Sequence, residues 1–181
     1  SLHPAHSGEV RVAGQPVATG RAGAMAAARV GVVPEDRHDS GVVLDMTITE
    51  NLALVDYPSF ARPWLVDRTA LRDRAVELIA DFDISCPGPE ALLGSLSGGN
   101  QQRVVLAREL SCDPVVLLAA QPTRGLDVGA IEYMTDRIRR AAEDGVGVLL
   151  ISSELEEILD LAHRIVVISD GRIIGEMDRG D

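Results

Sequence analysis

Lysine is absent from the 181 residues: all 17 basic side chains are arginines. Chemistry that requires a lysine is therefore excluded from this chain. Aromatic residues amount to 3%, so the interior has to be built from Val, Ile, Leu and Ala. The two cysteines, Cys86 and Cys112, make neither a metal spacing nor a disulfide framework. Each reads as a small hydrophobe in a reducing cytoplasm. No apolar run approaches the roughly 20 residues a helix needs to cross a bilayer, and no charged segment followed by an apolar one opens the chain. Basic side chains are outnumbered by 28 acidic ones, for a net charge of -11. That balance argues against nucleic acid as a partner. What is present is a hydrophobic fraction of 46%, enough for a core, in a length that suits one domain. The first residue is Ser, not Met, as in a fragment or a processed chain.

The patterning is mixed. Ser1 to Ser7 has no period. Gly8–Val12 alternates like a short strand closed by Ala13-Gly14, Arg21–Ala28 reads as an Ala-rich helix, and Val30–Val33 as a strand ended by Pro34. A polar loop, Glu35–Asp39, follows. Thr47 and Glu50 have capping-box spacing, which predicts a helix to about Leu54. Asp56 to Pro63 is irregular. Leu71, Ala75, Leu78, Ile79 and Phe82 share a helical face, and Asp83 to Leu93 is loop-rich. A helix over Asn100–Leu110 turns Leu106, Ala107 and Leu110 inward. Val115–Ala119 and Val146–Ile151 read as strands buried on both faces. Between them Ile131, Met134, Ile138 and Ala141 mark an amphipathic helix ended by Gly145. Leu155, Ile158, Leu159 and Ala162 mark another. Arg164–Ile168 and Arg172–Glu176 read as strands joined at Asp170-Gly171. From Val115 onward the alternation predicts a parallel sheet covered by helices, interrupted earlier by a helical subdomain.

The most informative segment is Leu96-Ser97-Gly98-Gly99-Asn100-Gln101-Gln102, running straight into a helix. Ser97 can cap orphan backbone N–H groups, Gly98 and Gly99 allow close backbone approach, and a helix N-terminus attracts anions. With Arg103-Val104-Val105-Leu106-Ala107-Arg108 it resembles the signature motif of ATP-binding cassette (ABC) ATPases. Gln121-Pro122-Thr123-Arg124-Gly125-Leu126-Asp127-Val128-Gly129-Ala130 resembles that family's stretch after Walker B, with Asp127 at the D-loop position. Val148–Leu155, Gly171-Arg172-Ile173 and Val33-Pro34-Glu35-Asp36-Arg37, at the Q-loop, extend the likeness over about 8–180. The nearest look-alikes are the second cassettes of tandem sugar- and nucleoside-importer ATPases. The resemblance implies an α/β fold with an ABC-type P-loop NTPase core: 1–55 would hold N-terminal strands and the Q-loop region, 56–110 an inserted helical subdomain with the signature, and 111–181 the Walker B strand to the C-terminal hairpin.

Departures from that pattern carry equal weight. The phosphate loop Gly-x-x-x-x-Gly-Lys-[Ser/Thr] is missing, and no lysine exists to supply it, so the N-terminal strand–loop–helix is expected to be absent. The usual Asp-Glu after Walker B is Ala120-Gln121, which offers neither a carboxylate for Mg²⁺ nor a base for water. The switch His is Ser153, and the Q-loop Gln is Glu35. The Ala120-Gln121 change with Ala130-Ile131-Glu132-Tyr133 looks most like the nucleoside-importer subgroup.

Cassettes of this family pair head to tail. The resemblance thus implies that Ser97, Gly98, Gly99 and Gln101 contact ATP·Mg²⁺ held by a second cassette, helped by Asp127. Ala120, Gln121 and Ser153 would line a degenerate site that holds no metal, leaving this chain inactive alone. Glu35, Asp36 and Arg37 would face transmembrane permease subunits, with a substrate-binding protein as an indirect partner, at the cytoplasmic face of a bacterial membrane. A non-transport cassette and a pure interaction module remain as alternatives. Plainer readings stand beside these: His163 as a boundary residue, Glu154, Glu156, Glu157 and Asp160 as the solvated face of a helix, Trp64 as packing, and Glu35–Arg37 as a polar loop.

Overall fold

The strand Val30–Val33, β3, pairs in parallel with β6, Val116–Ala120, and β6 pairs in parallel with β7, Gly147–Ile151. These three strands carry the fold in a computed structural model that describes residues 7–18, 20–21, 23–56, 60–62 and 65–178. The unpatterned first six residues, most of the irregular stretch after Asp56, and Trp64 lie outside the described residues. In chain order, the other strands are β1 (Val10–Val12), β2 (Gln15–Val17), β4 (Ala61–Arg62), β5 (Leu65–Val66), β8 (Arg164–Ser169) and β9 (Arg172–Asp178). The helices are α1 (Ala24–Ala27), α2 (Ile48–Ala53), α3 (Arg68–Asp81), α4 (Gly98–Leu110), α5 (Val128–Glu143) and α6 (Leu155–Leu161).

Parallel neighbours need long crossovers, and here α2, α3 and α4 lie within the β3-to-β6 connection, and α5 within that from β6 to β7. One apolar cluster joins the layers: Val33 and Leu117 from the sheet, Ile48 from α2, Ala75 and Leu78 from α3, Val104–Ala107 from α4, and Met134 and Ile138 from α5. Local chemistry starts and stops several of these elements, and at Thr47–Glu50, Gly145 and Asp170-Gly171 it does so as the sequence predicts. Thr47 and Glu50 form the reciprocal capping box that opens α2. Asp127 caps α5 by accepting from Ala130 N at 2.9 Å, and Gly145 follows its end at φ 95°. Asp170 and Gly171 both have positive φ, the conformation that a tight turn between β8 and β9 demands.

Six expectations are corrected. β1 is followed by a partner, β2, across Ala13-Gly14; the Pro16 in it had masked a strand pattern. The Ala-rich helix is shorter, only Ala24–Ala27. Among the described residues β8 does not extend the parallel sheet but pairs antiparallel with β9, to which the tight Asp170-Gly171 turn joins it. β7 is not buried on both faces: Leu149 and Ile151 are about half exposed. The α6 stripe is covered only in part: Ile158 and Ala162 are half-buried, and Glu154, Glu156 and Asp160 are exposed as expected. Leu155 and Leu159 stand 66% and 56% exposed, whereas Glu157 is buried. Ile131 likewise faces outward at the rim of α5, while Met134, Ile138 and Ala141 go inward as expected.

Candidate functional site

Ser97 occupies the residue before α4, and its backbone C=O accepts the first helical bond from Gln101 N at 2.9 Å. The expected side-chain cap is not made. The Ser97 hydroxyl instead accepts from Asn100 Nδ2 at 3.0 Å, and Asn100 Oδ1 accepts from Ser85 N at 2.8 Å. The amides of the first turn, which have no intrahelical acceptors, are therefore left without a side-chain cap. Gly98 meets the guanidinium of Arg37: a Cβ built at Gly98 would come within 2.8 Å of Arg37 Nη2. Gly99 lets α4 close on α5, since its own Cβ would fall 3.0 Å from Ala130 Cβ and 3.9 Å from Asp127 Oδ2. Ser97, Gly98, Gly99 and Asp127 are thus brought together.

Gln101 stands apart from that group. It is buried, and its Nε2 donates to Leu96 O at 3.0 Å while Oε1 lies 2.9 Å from His38 Nε2. Its side chain is spent on holding the loop before α4 and the turn after β3. That turn, Arg37–Gly41, is a π-helical one capped by Asp36, whose Oδ1 accepts from His38 N at 2.9 Å and Asp39 N at 3.2 Å. The N–H groups of Asp39 and His38 hold the Asp36 carboxyl below its ordinary pKa, because they bond the charged form. The far end of α4 grips the same region. Arg108 Nη1 donates to Gly41 O at 2.8 Å, Glu109 Oε2 accepts from Val32 N at 2.9 Å, and the two side chains pair with each other at 2.9 Å. Both are buried. The motifs singled out neither His38 nor Glu109, and took in Arg108 only as the end of the signature stretch. An adjacent Arg-Glu pair directly after the apolar run Val104–Ala107 was the available signal.

The second group lies at the ends of β6 and β7. Gln121 leaves β6 with φ 47° and donates its backbone N–H to Ile151 O at 2.7 Å. Its side chain meets Ser153, Nε2 donating to Ser153 Oγ at 3.2 Å and Oε1 accepting from Ser153 N at 3.3 Å. Ala120, the residue before it, ends β6 and contributes only a methyl group. Glu35 reaches across to Arg124, at 2.5 Å in an exposed pair, so the segments after β3 and β6 are tied together.

These groups differ in what they can do. The start of α4 offers unclaimed amides, the positive end of a helix macrodipole and the Arg37 guanidinium, whose Nε is itself buried without a partner. That combination fits a phosphate. The Ala120–Gln121–Ser153 end offers amide and hydroxyl groups but no carboxylate. Among the described residues, no three His, Cys, Asp or Glu side chains converge to hold a metal ion. A divalent cation bound with ATP would find no ligand at Ala120.

The sequence pattern described as ABC transporter matches residues 1–124. The nucleoside import ATP-binding protein NupA of Lactococcus lactis subsp. cremoris is 44% identical over 171 residues, covering 93% of this chain and 34% of that protein. The ribose import ATP-binding protein RbsA 1 of Streptomyces coelicolor is 40% identical over 175 residues, 97% of this chain and 35% of that one. The guanosine import ATP-binding protein NupO of Bacillus subtilis is 42% identical over 153 residues, 82% and 30% respectively. The chain therefore spans about a third of the length of these relatives. Among solved structures, a dimeric ATP-binding cassette in a post-hydrolysis state with ADP and Pi superposes with a TM-score of 0.79 at 25% identity, over 99% of this chain and 77% of that one.

Proposed function

The chain belongs to the ABC transporter family, and from that premise we propose that it is part of the ATP-binding subunit of an importer for a nucleoside or a simple sugar. In this reading it belongs to the second cassette of a tandem subunit, organised as a Q-loop region to residue 55, a helical subdomain to 110 and a Walker B half to 181. Its start of α4 engages ATP held by the other cassette, and the permease contacts the segment Glu35–Arg37 at the cytoplasmic membrane face. The observation that carries this is the uncapped first turn of α4 under the Arg37 guanidinium, set beside Asp127. It is a phosphate-receiving surface at the start of a helix.

The residues fit an asymmetric pair. Ser97, Gly98 and Gly99 supply donors to a γ-phosphate, ATP itself supplying the transferable phosphoryl group. Gln121 and Ser153 can orient water or phosphate oxygen but cannot take a proton at neutral pH. Loss of a general base costs about 10²–10⁴ in rate, so turnover is assigned to the site whose Walker residues come from the other cassette. Uptake of labelled nucleosides and of ribose in cells stripped of competing importers tests the reading. Accumulation of a nucleoside or ribose that depends on this chain is expected. Unchanged uptake of both on its deletion overturns it.

A further inference from the structure

Between the segment Thr123–Leu126 and the helices α5 and α6 lies a cleft of about 640 Å³. We propose that it binds an organic cation, a guanidinium or ammonium group on an aliphatic stem, with Glu157 as its counter-ion. The proposal is independent of the transport reading.

Glu157 carries the argument. It is 8% exposed, it lines the cleft, and both of its carboxylate oxygens are buried without a hydrogen-bond partner among the described residues. Buried carboxylates are expensive unless they are paired. The two cations of the cleft do not supply the pair: Arg139 is held by Asp160 at 2.7 Å and Arg124 by Glu35 at 2.5 Å. Glu132, Glu154 and Glu156 add negative charge around the opening, and a low-dielectric wall behind such a cluster strengthens its pull on a cation.

The lining selects the kind of cation. A bare divalent ion needs several oxygen ligands converging on one point, and no such group exists among the described residues. The walls are mixed instead. Leu126 and Ile131 give apolar surface, and Thr123 and Thr135 give hydroxyl and methyl groups. A charged head with N–H donors at the end of a methylene stem satisfies both: the head donates to the Glu157 oxygens and the stem lies along the apolar wall. A free amine or arginine derivative and a side chain presented by a protein share this chemistry.

Titrating the full chain with n-butylguanidinium, observed by calorimetry and by NMR shifts of residues around Glu157, tests it. Saturable binding is expected, with no binding of the neutral isostere n-butylurea. Glu157→Gln should weaken binding by about ten-fold or more, the order of one lost charge-assisted hydrogen bond, while Glu156→Gln leaves most of it. Spermidine and an Arg-containing peptide, run in parallel, separate a free ligand from a presented side chain. No saturable binding of the guanidinium, or equal binding of the urea, overturns the proposal. Should Glu157→Gln fail to fold, that comparison on the unaltered chain still decides.

Discussion

Gln121 and Ser153 close on each other at the ends of β6 and β7, with Nε2 of the amide 3.2 Å from the hydroxyl and Oε1 3.3 Å from the Ser153 backbone N–H. The pair is self-satisfied. Each side chain offers its partner a donor and an acceptor, and neither carries a charge to place against a metal or an attacking water. The ends of β6 and β7 are thereby joined by a neutral clasp.

That clasp predicts inactivity even after repair. Ala120→Asp with Gln121→Glu adds two carboxylates, but no lysine stands among these 181 residues to hold the phosphates, and phosphoryl transfer needs positioning together with charge stabilisation. The isolated chain is expected to bind ATP·Mg²⁺ far more weakly than micromolar, short of about -8 kcal/mol, and the double variant to release no phosphate above the blank. Low-micromolar binding by calorimetry, or turnover by the double variant, contradicts this.

Gly98 and Gln121 should respond in opposite ways in the assembled transporter. At Gly98 an added carboxylate would meet Arg37 Nη2, 2.8 Å from its Cβ. It would take up the guanidinium and place negative charge where a phosphate is to sit. Gly98→Asp is therefore expected to reduce ATPase activity to near background. Gln121→Ala opens only the clasp with Ser153 and should retain most activity once assembly has been verified. Activity in Gly98→Asp with its loss in Gln121→Ala would reverse the assignment of roles.

The buried pair Arg108–Glu109 ties α4 to β3 and to the turn after it. Arg108→Met strips Gly41 O of its donor and leaves the Glu109 charge with Val32 N alone. Removing one partner of a buried ion pair costs about 3–5 kcal/mol. Urea denaturation should show a midpoint shift of that order at unchanged slope; a shift under about 1 kcal/mol would mean that water or another group replaces the guanidinium.

The capping box of α2 gives a pH signature. The Thr47 backbone N–H, then its hydroxyl, bonds the Glu50 carboxylate and lowers its pKa from the ordinary 4.5. A depressed folded-state pKa contributes stability that is present above 4.5 and lost as pH falls through the lowered value. Glu50→Gln keeps an acceptor but removes the titration, so its stability should vary less than that of the unaltered chain on acidification below 4.5. Thr47→Ala should cost about 1 kcal/mol at neutral pH. Parallel acid-titration curves for the unaltered chain and Glu50→Gln would show that the box does not titrate as described.

Much of this protein was fixed by local sequence. Capping at Thr47–Glu50, the tight turn at Asp170-Gly171, the stop at Gly145 and the Ser97–Gly99 entry into α4 each depend on a few adjacent residues, so short-range pattern suffices to place them. The inward face of α5, apart from Ile131, follows from its period. Tertiary structure decided what depends on pairing between distant segments. It set β3 beside β6, confined β8 to a hairpin, and turned Gln101 into the fold toward His38. It buried Arg108 and Glu109 as mutual counter-ions, and on α6 it left Leu155 and Leu159 exposed while enclosing Glu157. The physical reason is common to these cases: a helix period says that two faces differ, but which one is covered depends on what packs against it.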